Sequence, residues 1–202
     1  LLFINPSLRP GSAHLFLPVG LAYVMTYVKK HGFDFDLLDV DVDNLTDKQV
    51  EQYIQKNKYD VICLGSIVTH YKWMKWCINM IKSHQPDAKI IVGNSMGGSI
   101  PEVLFKTTAV DITVYGEAEL TMVELLNAIK ENKSLGHPLE PIQRIKHSNK
   151  GYPDTVKGEG IKGIIFRHGD LVVNNGKRKA VKNIDEFPFP DWDLFDVQKY
   201  LN

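Results

Sequence analysis

The stretch Asp60–Gly65, with the sequence DVICLG, is apolar on successive residues instead of alternate ones. This pattern is typical of a strand that is covered on both faces, as in a parallel sheet. Four more short strand-like runs lie around it, at Leu1–Ile4, Phe35–Val40, Lys89–Gly93 and Ile112–Gly116. The chain therefore alternates five candidate strands with the segments that join them.

The joining segments have helical spacing. After the third strand, Met74, Cys77, Ile78 and Ile81 recur at i, i+3, i+4 and i+7, which places them on one helical face. Five strand–helix units with right-handed crossovers put helices on both faces of a parallel sheet. We predict an α/β fold with a doubly wound, flavodoxin-like (Rossmann-like) sheet of strand order 2-1-3-4-5.

Two helix starts carry capping signals. Thr46 with Gln49 predicts a capping box after the second strand. Ser99 with Glu102 predicts a cap for a short helix after the fourth strand, with Pro101 in its first turn. The residues before that helix, Asn94–Gly98, are predicted to form a small flexible loop.

The character of the sequence changes after residue 132. Ser134–Gly160 is rich in Gly, Pro, His and charge and is predicted to be a connector. Lys162–Arg167 and Leu171–Asn174 are predicted to form a small β-hairpin. The aromatic segment Phe187–Phe195, which is interrupted by prolines, is expected to pack against this domain or against a missing one. We therefore predict an α/β domain at residues 1–132, followed by a connector, hairpin and linker at residues 133–202.

Bulk composition excludes some classes of protein. Lys plus Arg equals Asp plus Glu, at 24 each, and this balance argues against a nucleic-acid binder. No apolar run reaches the roughly 18 residues of a membrane span. The two cysteines, Cys63 and Cys77, are predicted to be buried thiols in a reducing compartment. We expect a cytoplasmic location.

Ligands of doubly wound sheets bind outside the carboxyl ends of the strands. The loop after the first strand runs from Asn5 to Pro18 and is long enough to cover a ligand. The third strand runs into Ser66–His70, which offers two hydroxyls and an imidazole. Gly93–Gly98 lets backbone approach a bulky ligand closely. Tyr115–Glu119 leads directly into a helix, and the dipole of that helix favours the two acidic residues of the segment.

Two other ligand classes of this fold are less well supported. Asp39 ends the second strand and could hold a ribose, but no G-x-G-x-x-G precedes it. A phosphoreceiver needs an Asp where this chain has Gly65-Ser66, and a Lys where it has Gly116-Glu117.

An ordered set of motifs covers nearly the whole chain. The pieces are LLFINP (1–6), PVGLAYVMTYVKKHG (18–32), LLDVD (37–41), DVICLGS (60–66), KIIVGN (89–94), VYGEAELTMVELL (114–126) and NIDEFPFPDWDLF (183–195). Together they resemble the N-terminal cobalamin-binding domain of cobalamin-dependent radical S-adenosylmethionine proteins, some of which are magnesium-protoporphyrin IX monomethyl ester oxidative cyclases. KIIVGN departs from the family, which more often has a double Gly there.

The resemblance implies a cobalamin that lies over the strand ends, and no catalytic or metal-binding residue in this chain. The residues that would line the site are Asn5, Pro6, Ser66, Thr69, His70, Gly93, Asn94, Ser95, Gly97, Gly98, Tyr115, Gly116, Glu117, Ala118 and Glu119.

Two motifs of related proteins are absent. Without D-x-H-x-x-G, and without an Asp to orient His70, the resemblance implies cobalamin bound without a histidine lower ligand. Without C-x-x-x-C-x-x-C, the iron–sulfur cluster and S-adenosylmethionine would belong to a C-terminal radical domain beyond residue 202. That domain would be this chain's partner in methyl transfer or radical chemistry, and the chain alone is not expected to catalyse it.

Two alternatives belong to other functional classes. The first is a non-enzymatic interaction or sensor module that docks a partner through exposed Trp192 and Phe195. The second is a small glycosyltransferase or nucleotide-binding domain that uses Asp39 and Gly93–Gly98.

Overall fold

The computed structural model describes residues 1–11, 15–145 and 155–201. Its strands are β1 (Leu2–Asn5), β2 (Asp36–Asp39), β3 (Val61–Gly65), β4 (Lys89–Gly93), β5 (Ile112–Val114), β6 (Gly136–Pro138), β7 (Thr155–Gly160), β8 (Ile164–His168) and β9 (Leu171–Asn174). They form one sheet in the order β2-β1-β3-β4-β5-β8-β9-β7-β6. The first five strands are parallel, which confirms the predicted 2-1-3-4-5 order.

Helices cover both faces of the parallel strands, as a doubly wound fold requires. They are α1 (Val19–Lys30), α2 (Asp47–Lys56), α3 (Tyr71–His84), α4 (Asn94–Ser99), α5 (Pro101–Thr107) and α6 (Glu119–Lys130). Helices α1 and α6 pack on one face, and α2 to α5 pack on the other.

The core lies in two layers, one on each side of the sheet. In β1, Leu2 and Ile4 belong to the layer under α2 to α5, whereas Phe3 belongs to the layer under α1 and α6. In β3, Ile62 and Cys63 divide between the layers in the same way. Successive side chains of a strand point to opposite faces, so strands buried on both sides must be apolar at every residue.

The predicted hairpin is confirmed as β8 and β9, and it extends the same sheet. Strand β8 pairs antiparallel with β5, with Ile164 opposite Val114. Strand β7 then adds parallel to β9, and β6 antiparallel to β7.

The prediction that Ser134–Gly160 is only a connector is wrong where that segment is described, because it contains β6 and β7. Strand β7 has the sequence TVKGEG, whose glycines are poor strand formers. Its place in the sheet depends on close packing instead. A Cβ on Gly158 would lie 2.2 Å from Val173 Cγ1.

One predicted helix cap is confirmed and the other is wrong. The Thr46 hydroxyl accepts a hydrogen bond from the Gln49 amide in a complete capping box. Helix α5 begins at Pro101 after Ile100, which supplies no side-chain cap. Ser99 cannot serve because Asn94–Ser99 is itself the helix α4, where a flexible loop was predicted.

The C-terminal strap, defined here as residues 187–201, lies across α1. The Asp191 amide donates a 2.7 Å hydrogen bond to Thr26 Oγ1, and the Asp191 carboxylate pairs with Lys29 at 2.9 Å. Trp192 is partly buried against the α1 side of the core, and Phe195 is only 6% exposed. The tail therefore docks on its own domain, and the expectation of an exposed Phe195 is wrong.

The predicted burial of the two thiols is confirmed. Cys63 and Cys77 are free and buried, and burial raises the pKa of Cys63 to about 12. In the described segments, every helix is too short or too polar to cross a membrane.

Candidate binding site at the carboxyl edge of the sheet

We call the residues at and just after the carboxyl ends of β1, β3, β4 and β5 the carboxyl-edge rim. It consists of Asn5–Pro6, Ser66–His70, Gly93–Gly98 and Tyr115–Glu119. Parallel strands end at the same edge of a sheet, so the fold places all four segments there.

Three of the rim segments adjoin one another. The Met96 amide donates a 3.0 Å hydrogen bond to the Ser66 carbonyl, which joins the segments after β3 and β4. A Cβ on Gly98 would lie 3.3 Å from Tyr115 Cβ, so the segments after β4 and β5 are also in close proximity. The centre of the rim is therefore a continuous surface above β3, β4 and β5.

The rim is open above β4. A Cβ built on Gly93 would meet no atom within 4 Å. The next residue, Asn94, has a positive φ of 60°, and its side-chain carbonyl accepts a 2.6 Å hydrogen bond from the Ser95 amide. This turn into α4 leaves free space at the end of the strand.

Gly97 has a different role from the one predicted for a flexible loop. A Cβ there would lie 2.4 Å from the Val92 carbonyl oxygen and 2.9 Å from the Val114 carbonyl oxygen. Backbone atoms of two strands cannot move aside, so only glycine lets α4 sit this close to the sheet. Gly97 therefore supports the rim from below.

His70 has an orienting partner that the sequence did not reveal. Its Nδ1 and the Ser66 hydroxyl share a 3.1 Å hydrogen bond, and its ring stacks on Trp73 with 5.2 Å between centroids. Burial lowers the pKa of His70, so the ring is neutral near pH 7. The adjoining side chains of this turn, Ile67 and Val68, are exposed and apolar. Thr69 is exposed beside them.

The rim segment after β1 is filled by the chain's own side chains. The Asn5 amide donates to Asp39 at 2.9 Å and to the Tyr200 hydroxyl at 3.2 Å, and Tyr200 donates to Asp39. Burial raises the pKa of Asp39. Pro6 is also buried. Asn5 is thus turned toward β2 instead of the open centre, and both Asp39 oxygens are engaged instead of facing a ribose.

No sequence pattern identified Tyr200 as a residue of this site. It lies on α7 (Val197–Leu201), a helix of five residues that ends the strap. Its contact with Asp39 joins residues 161 positions apart, and no local pattern signals such a pairing. Residues 12–14 of the long first loop lie outside the described residues.

The segment after β5 borders a cleft. Tyr115 donates a 2.8 Å hydrogen bond to Asn174, and burial raises the pKa of Tyr115. Gly116 has a φ of 81°, a conformation that favours glycine. Glu117 accepts a 3.1 Å hydrogen bond from the Val181 amide. Ala118 is the residue before α6, and Glu119 lies in its first turn.

The cleft beside this segment has a volume of about 280 Å³. One wall is Gly116, Glu117 and Glu119, and the other is the basic segment Lys177–Val181. The run Lys177-Arg178-Lys179 is visible in the sequence as a cluster of charge, but no motif marked it as part of a site.

The described residues contain no group of three or more His, Cys, Asp or Glu side chains that could hold a metal ion. The model of the B12 binding domain family matches residues 12–126, which is more than half of the chain. The chain belongs to the B12-binding domain family.

Relatives of this B12-binding domain are longer proteins. An uncharacterized methyltransferase of Pyrococcus horikoshii is 23% identical over 184 residues, which are 91% of this chain and 35% of that protein. The anaerobic magnesium-protoporphyrin IX monomethyl ester cyclase of Rubrivivax gelatinosus is 23% identical over 206 residues, which cover 99% of this chain and 33% of that protein. This chain spans about a third of the length of these relatives.

Solved structures share the fold of this B12-binding domain. The cobalamin-dependent S-adenosylmethionine radical enzyme OxsB, with aqua-cobalamin and S-adenosylmethionine bound, matches 99% of this chain and 25% of its own at a TM-score of 0.72 and 19% identity. The radical S-adenosylmethionine methyltransferase TsrM from Kitasatospora setae, with cobalamin and a [4Fe-4S] cluster bound, matches 93% of this chain and 30% of its own at a TM-score of 0.65 and 17% identity.

The rim of this B12-binding domain fits a flat corrinoid. Cobalamin needs an open surface bordered by small residues, and the free space at Gly93 supplies one. Asn94, which follows Gly93, is exposed and uncharged and suits the amide side chains of a corrin ring, whereas Ser66 is buried and bonded to His70.

Proposed function

We propose that this chain binds cobalamin at the centre of the carboxyl-edge rim and positions it for a C-terminal radical S-adenosylmethionine domain. The observation that carries the proposal is the open seat above Gly93, in a chain whose family is the B12-binding domain. Residues Ser66–His70, Gly93–Gly98 and Tyr115–Glu119 would line the seat. Asn5 and Pro6 are buried beside the strap, so they would bound the seat without facing its open centre.

The chain's own contribution is binding and orientation. Bound cobalamin supplies a cobalt centre that can carry a methyl group, which protein side chains cannot do. The apolar side chains of Ile67 and Val68 would exclude water from the underside of the ring. Gly97 holds α4 against the sheet, so the seat is supported by fixed backbone atoms.

The rest of the enzyme is part of the same proposal. Because this chain spans about a third of its relatives, we infer that residues 1–132 form the core of the cobalamin module and that residues 133–202, which extend its sheet, lead toward the radical domain. Methyl transfer and oxidative cyclisation are both represented among those relatives. We also propose a cytoplasmic location, which the two free, buried thiols support.

Replacing Gly93 by leucine should abolish binding of hydroxocobalamin without unfolding the protein. The new side chain enters free space above β4, so it meets no atom of the fold at its Cβ but occupies the seat. Gel filtration with excess hydroxocobalamin, read by visible absorbance of the protein peak, measures this. The wild-type peak should be coloured and the variant peak colourless at an unchanged elution volume.

The matched control is Lys89→Leu, which adds the same side chain at the opposite, exposed end of β4. It should bind hydroxocobalamin like the wild type. A colourless wild-type peak, or equal binding by Gly93→Leu, would count against a seat above Gly93.

His70→Ala should leave the electron paramagnetic resonance spectrum of bound cob(II)alamin unchanged. The imidazole is half-buried between Ser66 and Trp73, and the exposed side chains of its turn, Ile67, Val68 and Thr69, offer no nitrogen ligand. We therefore expect the same spectrum from both proteins. A splitting that is present in the wild type and lost in His70→Ala would show that His70 ligates cobalt from below.

A further inference from the structure

The proposed cobalamin site lacks a positive charge where the cofactor is negative. The nucleotide loop of cobalamin contains a phosphodiester, and an anion that leaves water needs a cation or several donors. No residue of the carboxyl-edge rim is Lys or Arg, and Glu117 and Glu119 are acidic. A cation for this group would have to come from a segment beside the rim.

The cleft next to the rim is bordered by such a segment. Lys177, Arg178 and Lys179 form the wall that faces Gly116, Glu117 and Glu119. A Cβ placed on Gly116 would lie 4.0 Å from Lys177 Cε, so the lysine stem reaches over this rim glycine. The cleft is continuous with the rim through Gly116.

The three cations have different roles. Arg178 donates a 2.8 Å hydrogen bond to Thr121 Oγ1 and pairs with Glu124, which ties the segment to α6. Lys177 and Lys179, on either side of it, are exposed and have no carboxylate partner among the described residues. Arg178 thus anchors the segment, and its two neighbours remain free to bind a ligand.

Both acidic residues of the cleft have favourable contacts within the fold. Glu117 is turned to the Val181 amide at 3.1 Å, so its carboxylate already has a donor. Glu119 lies in the first turn of α6, a helix of 12 residues whose dipole favours negative charge at that end. The same dipole would favour a bound phosphate.

We propose that Lys177 and Lys179 form an anion-binding wall for the phosphodiester of the cobalamin nucleotide loop. The inference rests on the proposed function, since it names where one part of that cofactor is held. It adds two residues outside the family match at residues 12–126. It also explains why the basic run lies against the rim instead of elsewhere on a chain with no net charge.

The test compares three corrinoids by equilibrium titration of the intact chain. Cobinamide has the corrin ring without phosphate or base, cobinamide phosphate adds the phosphate alone, and hydroxocobalamin has the complete nucleotide loop. The wild type should bind cobinamide phosphate about tenfold more tightly than cobinamide, because two charge-assisted contacts are gained. This preference should fall as salt is raised.

The double variant Lys177→Gln with Lys179→Gln should bind cobinamide and cobinamide phosphate with equal affinity. The control variant, Lys30→Gln with Lys56→Gln, removes two exposed charges from the last turns of α1 and α2 and should keep the wild-type preference. Equal binding of both corrinoids by the wild type, or a preference that survives in the double variant, would overturn the inference and leave the proposed function standing. Failure of all three corrinoids to bind would overturn both.

Discussion

Replacing Gly97 by alanine is expected to destabilise the protein by about 3 kcal/mol, at the upper end of overpacking costs. The added methyl group would lie 2.4 Å from the Val92 carbonyl oxygen and 2.9 Å from that of Val114, so α4 would have to move away from β4 and β5. Equilibrium unfolding in urea measures the change in the free energy of unfolding. Hydroxocobalamin affinity should fall with it, since α4 supports the seat.

The matched control is Gly20→Ala on α1. Its Cβ meets no atom within 4 Å, and alanine is the better helix former, so stability should stay the same or rise by up to about 1 kcal/mol. If Gly97→Ala were as stable as the wild type, the close approach of α4 to the two strands would not exist.

Replacing Phe195 by alanine is expected to cost about 3–4 kcal/mol of stability. Phe195 is 6% exposed and packs in the core layer that contains Ala22 and Met25 of α1. Its loss would leave a cavity between the strap and that helix. Urea unfolding, together with limited proteolysis of the strap, measures the effect.

Phe189→Ala provides the comparison within the same strap. Phe189 is 90% exposed, so its removal should change the free energy of unfolding by less than about 0.5 kcal/mol. Equal effects of the two substitutions would mean that the strap does not pack on α1. In that case the interaction-module alternative, which needs an exposed Phe195, would regain support.

The parallel core was predictable because the local composition of its strands indicates burial on both faces. Residues 61–64 are apolar in succession because β3 is covered on both faces, and burial of this kind constrains each residue separately. The same holds for the capping box of Thr46 and Gln49, which are three residues apart. The predicted hairpin of β8 and β9 likewise involves neighbouring runs.

The candidate site was predictable only in outline. The order of strands places Ser66, Gly93 and Tyr115 at one edge, and that much follows from the fold class. The sequence did not show that the Ser66 hydroxyl orients His70, or that Asn94–Ser99 is a helix. Helix α4 contains two glycines, so its helical state contradicts local propensity and depends on packing against the strands.

What the sequence by itself determined is the doubly wound core, its strand order and, through its ordered motifs, the family. The tertiary structure alone decided which ends of that core are open. Tyr200 and Asp39 fill the space at the carboxyl end of β1, and α4 packs against the sheet at its own Gly97. Lys177 lies next to Gly116. These contacts join residues that are distant in the chain, and they depend on the shapes of packed elements, whereas periodicity reports only which side of each element is buried.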